Sequence, residues 1–208
     1  MIDVDREVNE VRREVGGQVL EAGQGWVVRF RRSYDTTVAD LWSACTTPER
    51  IGRWLVPVTG DLKVSGHYQL EGNAGGEVLT CEPPHSFTAT WEYGGDVSWI
   101  DVRFDEDDSG DARVTVEHLA VAGEHWAEFG PAAVGIGWEL GLLGLGAELT
   151  GDPWSHEAGM AWSASADGVR YIELSGRSWA DAHEAAGTPA DAARAAAERT
   201  VAAYTQSE

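Results

Sequence analysis

His118 is the residue of this chain whose setting most suggests chemistry. In the segment RVTVEHLAV it shares the parity of Val114 and Val116, so on a β-strand all three project from one face. An imidazole on the inner face of a sheet can hydrogen-bond a guest's carbonyl or phenol, or act as a general base. The competing assignment is structural, a core histidine satisfied by a backbone carbonyl or a neighbouring side chain. His156-Glu157 and His183-Glu184 each begin like a zinc-peptidase helix, but neither is followed by the second histidine such a site requires. Cys45 and Cys81 have no C-x-x-C spacing and no adjacent histidine, which predicts free thiols rather than a disulfide or a metal site. The acidic run Asp105 to Asp111 lacks the ligand spacing of a calcium loop and reads as a solvated hairpin tip. There is no G-x-S-x-G elbow and no phosphate-binding glycine loop; GLLGLG lies inside a long apolar segment instead of following a strand. The sequence therefore predicts no catalytic constellation, no metal and no cofactor.

A second group of residues suggests binding. Trp91 and Tyr93 share one face of a strand, Trp138 and Leu142 share one face of a helix, and Trp54 ends a short helix where a cavity mouth would lie. With His118 these six are the candidate cavity lining, since small-molecule sites are mostly apolar and aromatic with few polar groups. Taken singly, each tryptophan is more often plain core.

The element that must position them is Pro131 to Leu149, PAAVGIGWELGLLGLGAEL, with Glu139 and Glu148 as its charges. At about 100° per residue, Val134, Trp138, Leu142, Leu145 and Leu149 fall on one helix face and Ile136, Leu140, Leu143 and Ala147 on the other. Two apolar faces need two partners. A glycine inside a helix costs up to about 1 kcal/mol against alanine, so Gly135, Gly137, Gly141, Gly144 and Gly146 predict close backbone approach or room for a guest. Glu139 needs a cation, with Arg29 or Arg103 as candidates, or else a solvent-facing position. A membrane span is disfavoured by the two glutamates, the glycines and a length just short of a bilayer crossing.

The rest of the chain supplies those partners. Valines at 4, 8, 11 and 15 predict an amphipathic helix from Asp3 to Val15, stopped at Gly16-Gly17. Trp26 to Tyr34 reads as a strand. Asp35 or Thr36 then caps a helix through Thr46, and Thr47-Pro48 starts a second short helix that ends before Pro57. After that the period drops from about 3.6 to about 2. Strands are expected at Asp61 to Val64, His67 to Gly72, Glu77 to Glu82, Ser86 to Tyr93, Val97 to Asp105 and Ala112 to Val121, joined by glycine, proline and aspartate turns as an antiparallel meander. Beyond Thr150 come a loop with one helical turn, a helix from Val169 to Ala186 and a last helix from Thr188-Pro189 to Tyr204. This order predicts the α+β class, with the long helix across the concave face of a curved sheet.

Composition limits the partners. The 208 residues include ten tryptophans, enough for a large aromatic core or a lined pocket, and 35 acidic against 15 basic residues give a formal charge of -20. That sign argues against nucleic acid and against an anionic membrane. The opening MIDVDREVNE has no apolar export core, so a cytoplasmic location with reduced thiols is expected.

The segments WSACTTPERIGRWLVP, VSGHYQL, GEVLTCEPPHSFTATWEY, RVTVEHLAV and GIGWELGLLGL, in this order, resemble the proteins homologous to the C-terminal domain of the activator of Hsp90 ATPase. These belong to the START-like, or SRPBCC, group. The resemblance implies a helix-grip fold whose sheet wraps the last helix around a deep apolar cavity. It covers about Gly25 to Leu149, and Ser65-Gly66-His67-Tyr68 departs from the family's paired glycines. The tail, SGRSWADAHEAAGTPADAARAAAERTVAAYT, is similar to an extension on actinobacterial members. The implied organisation is an N-terminal helix and linker (1–24), a helix-grip domain (25–150) and a helical extension (151–208) docked through Trp179 and Tyr204, with a homodimerisation arm as the alternative. The function expected is binding of a small hydrophobic or aromatic molecule without evident turnover. A cyclase- or hydrolase-like enzyme using His118, and a chaperone-interacting module using the acidic outer face, are the alternatives, because fold alone does not fix activity.

Overall fold

The computed structural model of the protein describes residues 2–20 and 23–206. The chain opens with helix α1 (Val4–Asn9), which the Asp3 carboxylate caps by accepting from the Arg6 N–H at 3.1 Å. The predicted continuation of this helix to Val15 is not formed. Residues Arg12–Leu20 are instead strand β1, paired antiparallel with β2 (Gly23–Tyr34) along its whole length. Valines at 11 and 15 fit a helical stripe and a strand face equally. The strand wins because the backbone of β2 is left without a partner on that side unless β1 supplies it.

Helices α2 (Val38–Thr46) and α3 (Pro48–Trp54) follow. The cap of α2 is Thr37, whose hydroxyl accepts from the Asp40 N–H at 3.2 Å, and not Asp35 or Thr36; the Thr36 hydroxyl donates to the Asp40 carboxylate instead. After Pro57 comes β3 (Val58–Gly60), displaced from the expected Asp61 to Val64. Residues 61–66 form a turn closed by backbone bonds from Lys63 to Asp61 and from Gly66 to Lys63, so those two N–H groups are spent locally, while the Ser65 N–H donates to the Val78 carbonyl. The meander then runs β4 (His67–Leu70), β5 (Gly75–Glu82), β6 (Ser86–Tyr93), β7 (Asp96–Glu106) and β8 (Ala112–Val121). All neighbours are antiparallel in the order β1-β2-β8-β7-β6-β5-β4-β3, the last strand returning to lie against β2. Phe30, Ile100, Val102, Phe104, Val114 and Val116 are the buried inward residues, and the wet outer face carries ion pairs such as Arg29–Glu14 and Arg103–Asp101.

Past α4 (Glu124–Phe129), helix α5 (Ala132–Leu149) crosses the concave face. It is long and apolar enough to span a membrane, but most of it is buried within the protein, as in a core helix. The loop expected after Thr150 contains a full helix, α6 (His156–Ser163), capped by Ser155. Then α7 (Ala166–Ala185) begins three residues earlier than the periodicity suggested, because the Ser165 hydroxyl accepts from the Gly168 N–H at 3.2 Å. The last helix, α8 (Ala190–Thr205), completes the helical extension, which packs on the far side of α5. Trp179 on α7 is fully buried, and the Tyr204 hydroxyl donates to the Ala133 carbonyl at 3.1 Å. A Cβ on Gly135 would overlap the Trp179 ring, so that glycine is the seat of α7.

Glu139 on α5 is fully buried and meets neither Arg29 nor Arg103, which are occupied on the opposite face of the sheet. Its partner is Arg13 of β1, with Nε and Nη2 each donating to one carboxylate oxygen at 2.7 Å. The Ser175 hydroxyl and the Trp179 indole N–H, both from α7, donate to the same carboxylate at 2.7 Å. Losing one member of a buried pair strands the other charge, at a cost of about 3–5 kcal/mol. Arg13→Met is therefore expected to lower the unfolding free energy by about that amount in urea denaturation. Glu139→Gln keeps the shape but strands the Arg13 charge and turns one oxygen, which accepts from both Arg13 and α7, into a donor, so a loss of the same order is expected in the same measurement.

Candidate functional site

Sheet and α5 do not close completely on each other. Between them lies a cavity of about 140 Å³. Its helix wall is Trp138, Leu142 and Leu145, its sheet wall includes Ala89, Trp91, Ile100 and Val102, and α3 closes one end with Ile51, Trp54 and Leu55. The opening is ringed by half-buried Leu55, Val58 and Leu62.

The aromatic walls are fixed from behind. Trp91 and Trp138 are 4.9 Å apart between ring centroids, and Phe30 stands 5.7 Å from Trp138. The Trp138 indole N–H donates to His118 Nδ1 at 3.1 Å. An indole can only donate, so Nδ1 is the unprotonated nitrogen and the imidazole proton sits on Nε2, facing Ser98 Oγ at 2.8 Å. The Ser98 hydroxyl in turn donates to the Trp91 carbonyl at 3.0 Å. Burial pushes His118 down to about 4, so it is neutral near pH 7 and both ring nitrogens are used. Trp54 is held in the same manner, its N–H donating to the Ala44 carbonyl at 3.0 Å.

Of the six residues singled out from the sequence, Trp54, Trp91, Trp138 and Leu142 come together around the cavity. His118 is on the concave face, as its parity requires, but stands behind Trp91 and Trp138 and does not line the space. Tyr93 has the parity of Trp91 yet lies at the β6–β7 hairpin, 63% exposed. Parity with Trp91 also marks Phe87 and Ala89, both in the lining and neither among the six. Tyr68, Cys45 and Cys81 line it too. Nothing local in the sequence brings α2, β4 and β5 together. Burial pushes the Cys45 thiol up to about 12, so it stays protonated and unreactive. No Asp, Glu, Lys, Arg or His belongs to the lining among the described residues.

A family model described as activator of Hsp90 ATPase homolog 1-like protein matches residues 35–149. No curated protein matches the chain. The crystal structure of CalU16 from Micromonospora echinospora is similar at 37% identity, over 74% of this chain and 96% of that one, with a TM-score of 0.61. The solution NMR structure of CalU16 is similar at 31% identity, over 85% of this chain and 97% of that one, with a TM-score of 0.71. Protein MLL2253 from Mesorhizobium loti, at 20% identity over 60% of this chain and 96% of that one, with a TM-score of 0.53, shares the fold. The family match spans more than half of the chain and CalU16 is alike over nearly its whole length, so this protein belongs to the activator of Hsp90 ATPase homolog 1-like family of START-like (SRPBCC) helix-grip proteins.

Proposed function

We propose that the protein binds a small, mainly apolar molecule between its sheet and α5. The observation that carries this is a cavity walled by aromatic and aliphatic side chains, with the Trp54 and Trp138 rings fixed by hydrogen bonds from their indole N–H groups. Close-packed interiors leave few voids larger than a water molecule, and rigid walls of this kind keep a space from collapsing. Turnover has little support. Acid–base catalysis needs a titratable group within hydrogen-bond reach of the guest, whereas His118 is shielded by two indoles and Cys45 is held as a thiol. The family's description favours a second reading, contact with an Hsp90-type chaperone, for which the acidic surface is the available face. Such contact would show as co-purification that weakens as salt rises.

The binding reading is tested by extracting protein purified from its own host and identifying non-polar compounds by mass spectrometry. A compound carried by the wild type and lost in Ala89→Leu, which fills the cavity from the sheet side, is the expected result. Recovery of the same compound from both proteins would count against the cavity as its site.

His118 gives an independent check on its role as a wall support. Its folded-state value near 4 lies below the ordinary 6.5. Between these values the unfolded chain binds the proton that the folded protein refuses, so stability rises with pH through this window and is lost on acidification. From pH 7 to about pH 4.5 the wild type should lose about 2 kcal/mol more unfolding free energy than His118→Gln, as read by urea denaturation at each pH. Equal losses would mean that the imidazole is solvated.

A further inference from the structure

We infer that the guest is an uncharged molecule of about one aromatic ring with no hydrogen-bonding requirement, a class set by the volume and the donor inventory of the cavity. This rests on the binding reading above and narrows it. An apolar cavity of about 150 Å³ stays dry and takes up benzene, and the space here, about 140 Å³, is of that size.

The walls resist expansion. The end of α3 sits directly on the glycines of α5: a Cβ on Gly144 would lie 2.7 Å from the Trp54 carbonyl oxygen, and one on Gly141 would lie 3.5 Å from the Trp54 ring and 3.6 Å from Leu55. With its N–H tied to Ala44, Trp54 has no room to back away from the guest. On the other side Trp138 is wedged between Trp91 and Phe30. A second fused ring must therefore displace an indole.

The lining also has little to offer a polar guest. The Trp54 and Trp138 N–H groups are spent on Ala44 and His118, the Tyr68 hydroxyl donates to the Thr90 carbonyl at 2.6 Å, and the Thr46 hydroxyl donates to the Trp42 carbonyl at 2.8 Å, which leaves the Trp91 N–H and the weakly donating Cys45 and Cys81 thiols as the lining's side-chain donors. A charged guest loses its hydration and meets no counter-ion in return. Recognition is left to shape and dispersion. Trp54 is then the specificity-determining residue, because it sets the length of the space without touching the core of the sheet.

Isothermal titration calorimetry with toluene, naphthalene and benzoate separates the possibilities. The wild type should bind toluene saturably, bind naphthalene at least about tenfold more weakly, and bind benzoate at least about 100-fold more weakly. Trp54→Ala should bind naphthalene at least as well as toluene. Leu55→Ala, which removes wall without removing a hydrogen bond, is the companion variant should Trp54→Ala fail to fold, and circular dichroism reports on both. Naphthalene binding to the wild type as tightly as toluene would overturn the one-ring limit while leaving the binding reading standing. Benzoate binding at toluene's affinity would overturn the neutrality. Binding of none of the three to the wild type or to a folded variant would bring down this inference and the binding reading together.

Discussion

A buried carboxylate in the middle of an apolar helix is the constraint around which this molecule is assembled. Glu139 could not be taken out of water alone, since an unpaired buried charge costs several kcal/mol. It is compensated by groups from two distant parts of the chain, Arg13 in β1 and Ser175 with Trp179 in α7. The three bodies must therefore meet at one point. Arg13 Nη1 donates to the carbonyls of Val8 and Val11, at 3.0 and 2.9 Å, which fixes the corner between α1 and β1 as well. Near the other end of α5, the buried Glu148 accepts from Arg50 of α3 at 3.0 Å. One carboxylate faces the extension and the other faces the helix that closes the cavity.

The cavity follows from how α5 is held. Its cavity-side residues, Trp138, Leu142 and Leu145, lie on the same helix that Glu139 and Glu148 pin through Arg13, α7 and Arg50. A helix so fixed cannot slide toward the sheet to fill a void. Of the rings facing it, Trp54 and Tyr68 are tied at their polar tips, and Trp91 is braced against Trp138 itself. An apolar space persists because the groups that would collapse into it have stronger commitments elsewhere.

Much of this was legible in the chain, for physical reasons that also explain what was not. Strands β6 and β8 begin and end where alternation and turn residues place them, and α5 announces itself by length and uniform apolarity. Strand parity marks Trp91, helix face marks Trp138 and Leu142, and the end of a short helix marks Trp54; these are local rules, and the four residues meet at the cavity. Tyr93 has the parity of Trp91 and misses, because parity gives the face of a strand but not whether that part of it is covered. The N-terminal error has a different origin. Val11 and Val15 satisfy both periods, and only the pairing with β2, a long-range event, decides between them. That error concealed the partner of Glu139, since Arg13 within a helix would have had no reason to face α5.

The ion-pair network also divides the chain in a way that the family match makes plain. Glu139 lies inside the matched stretch of residues 35–149, whereas Arg13, Ser175 and Trp179 all lie outside it. The compensation for a charge inside that stretch is thus supplied by segments outside it. Trp179 adds a steric side to the same bond, for it occupies the space that Gly135 leaves open. The extension is therefore part of what positions the cavity's helix wall. Glu139, held by α7, and Trp138, in the cavity wall, are adjacent on α5 and about 100° apart around it, so neighbouring residues of one helix answer to the extension on one side and to the sheet on the other.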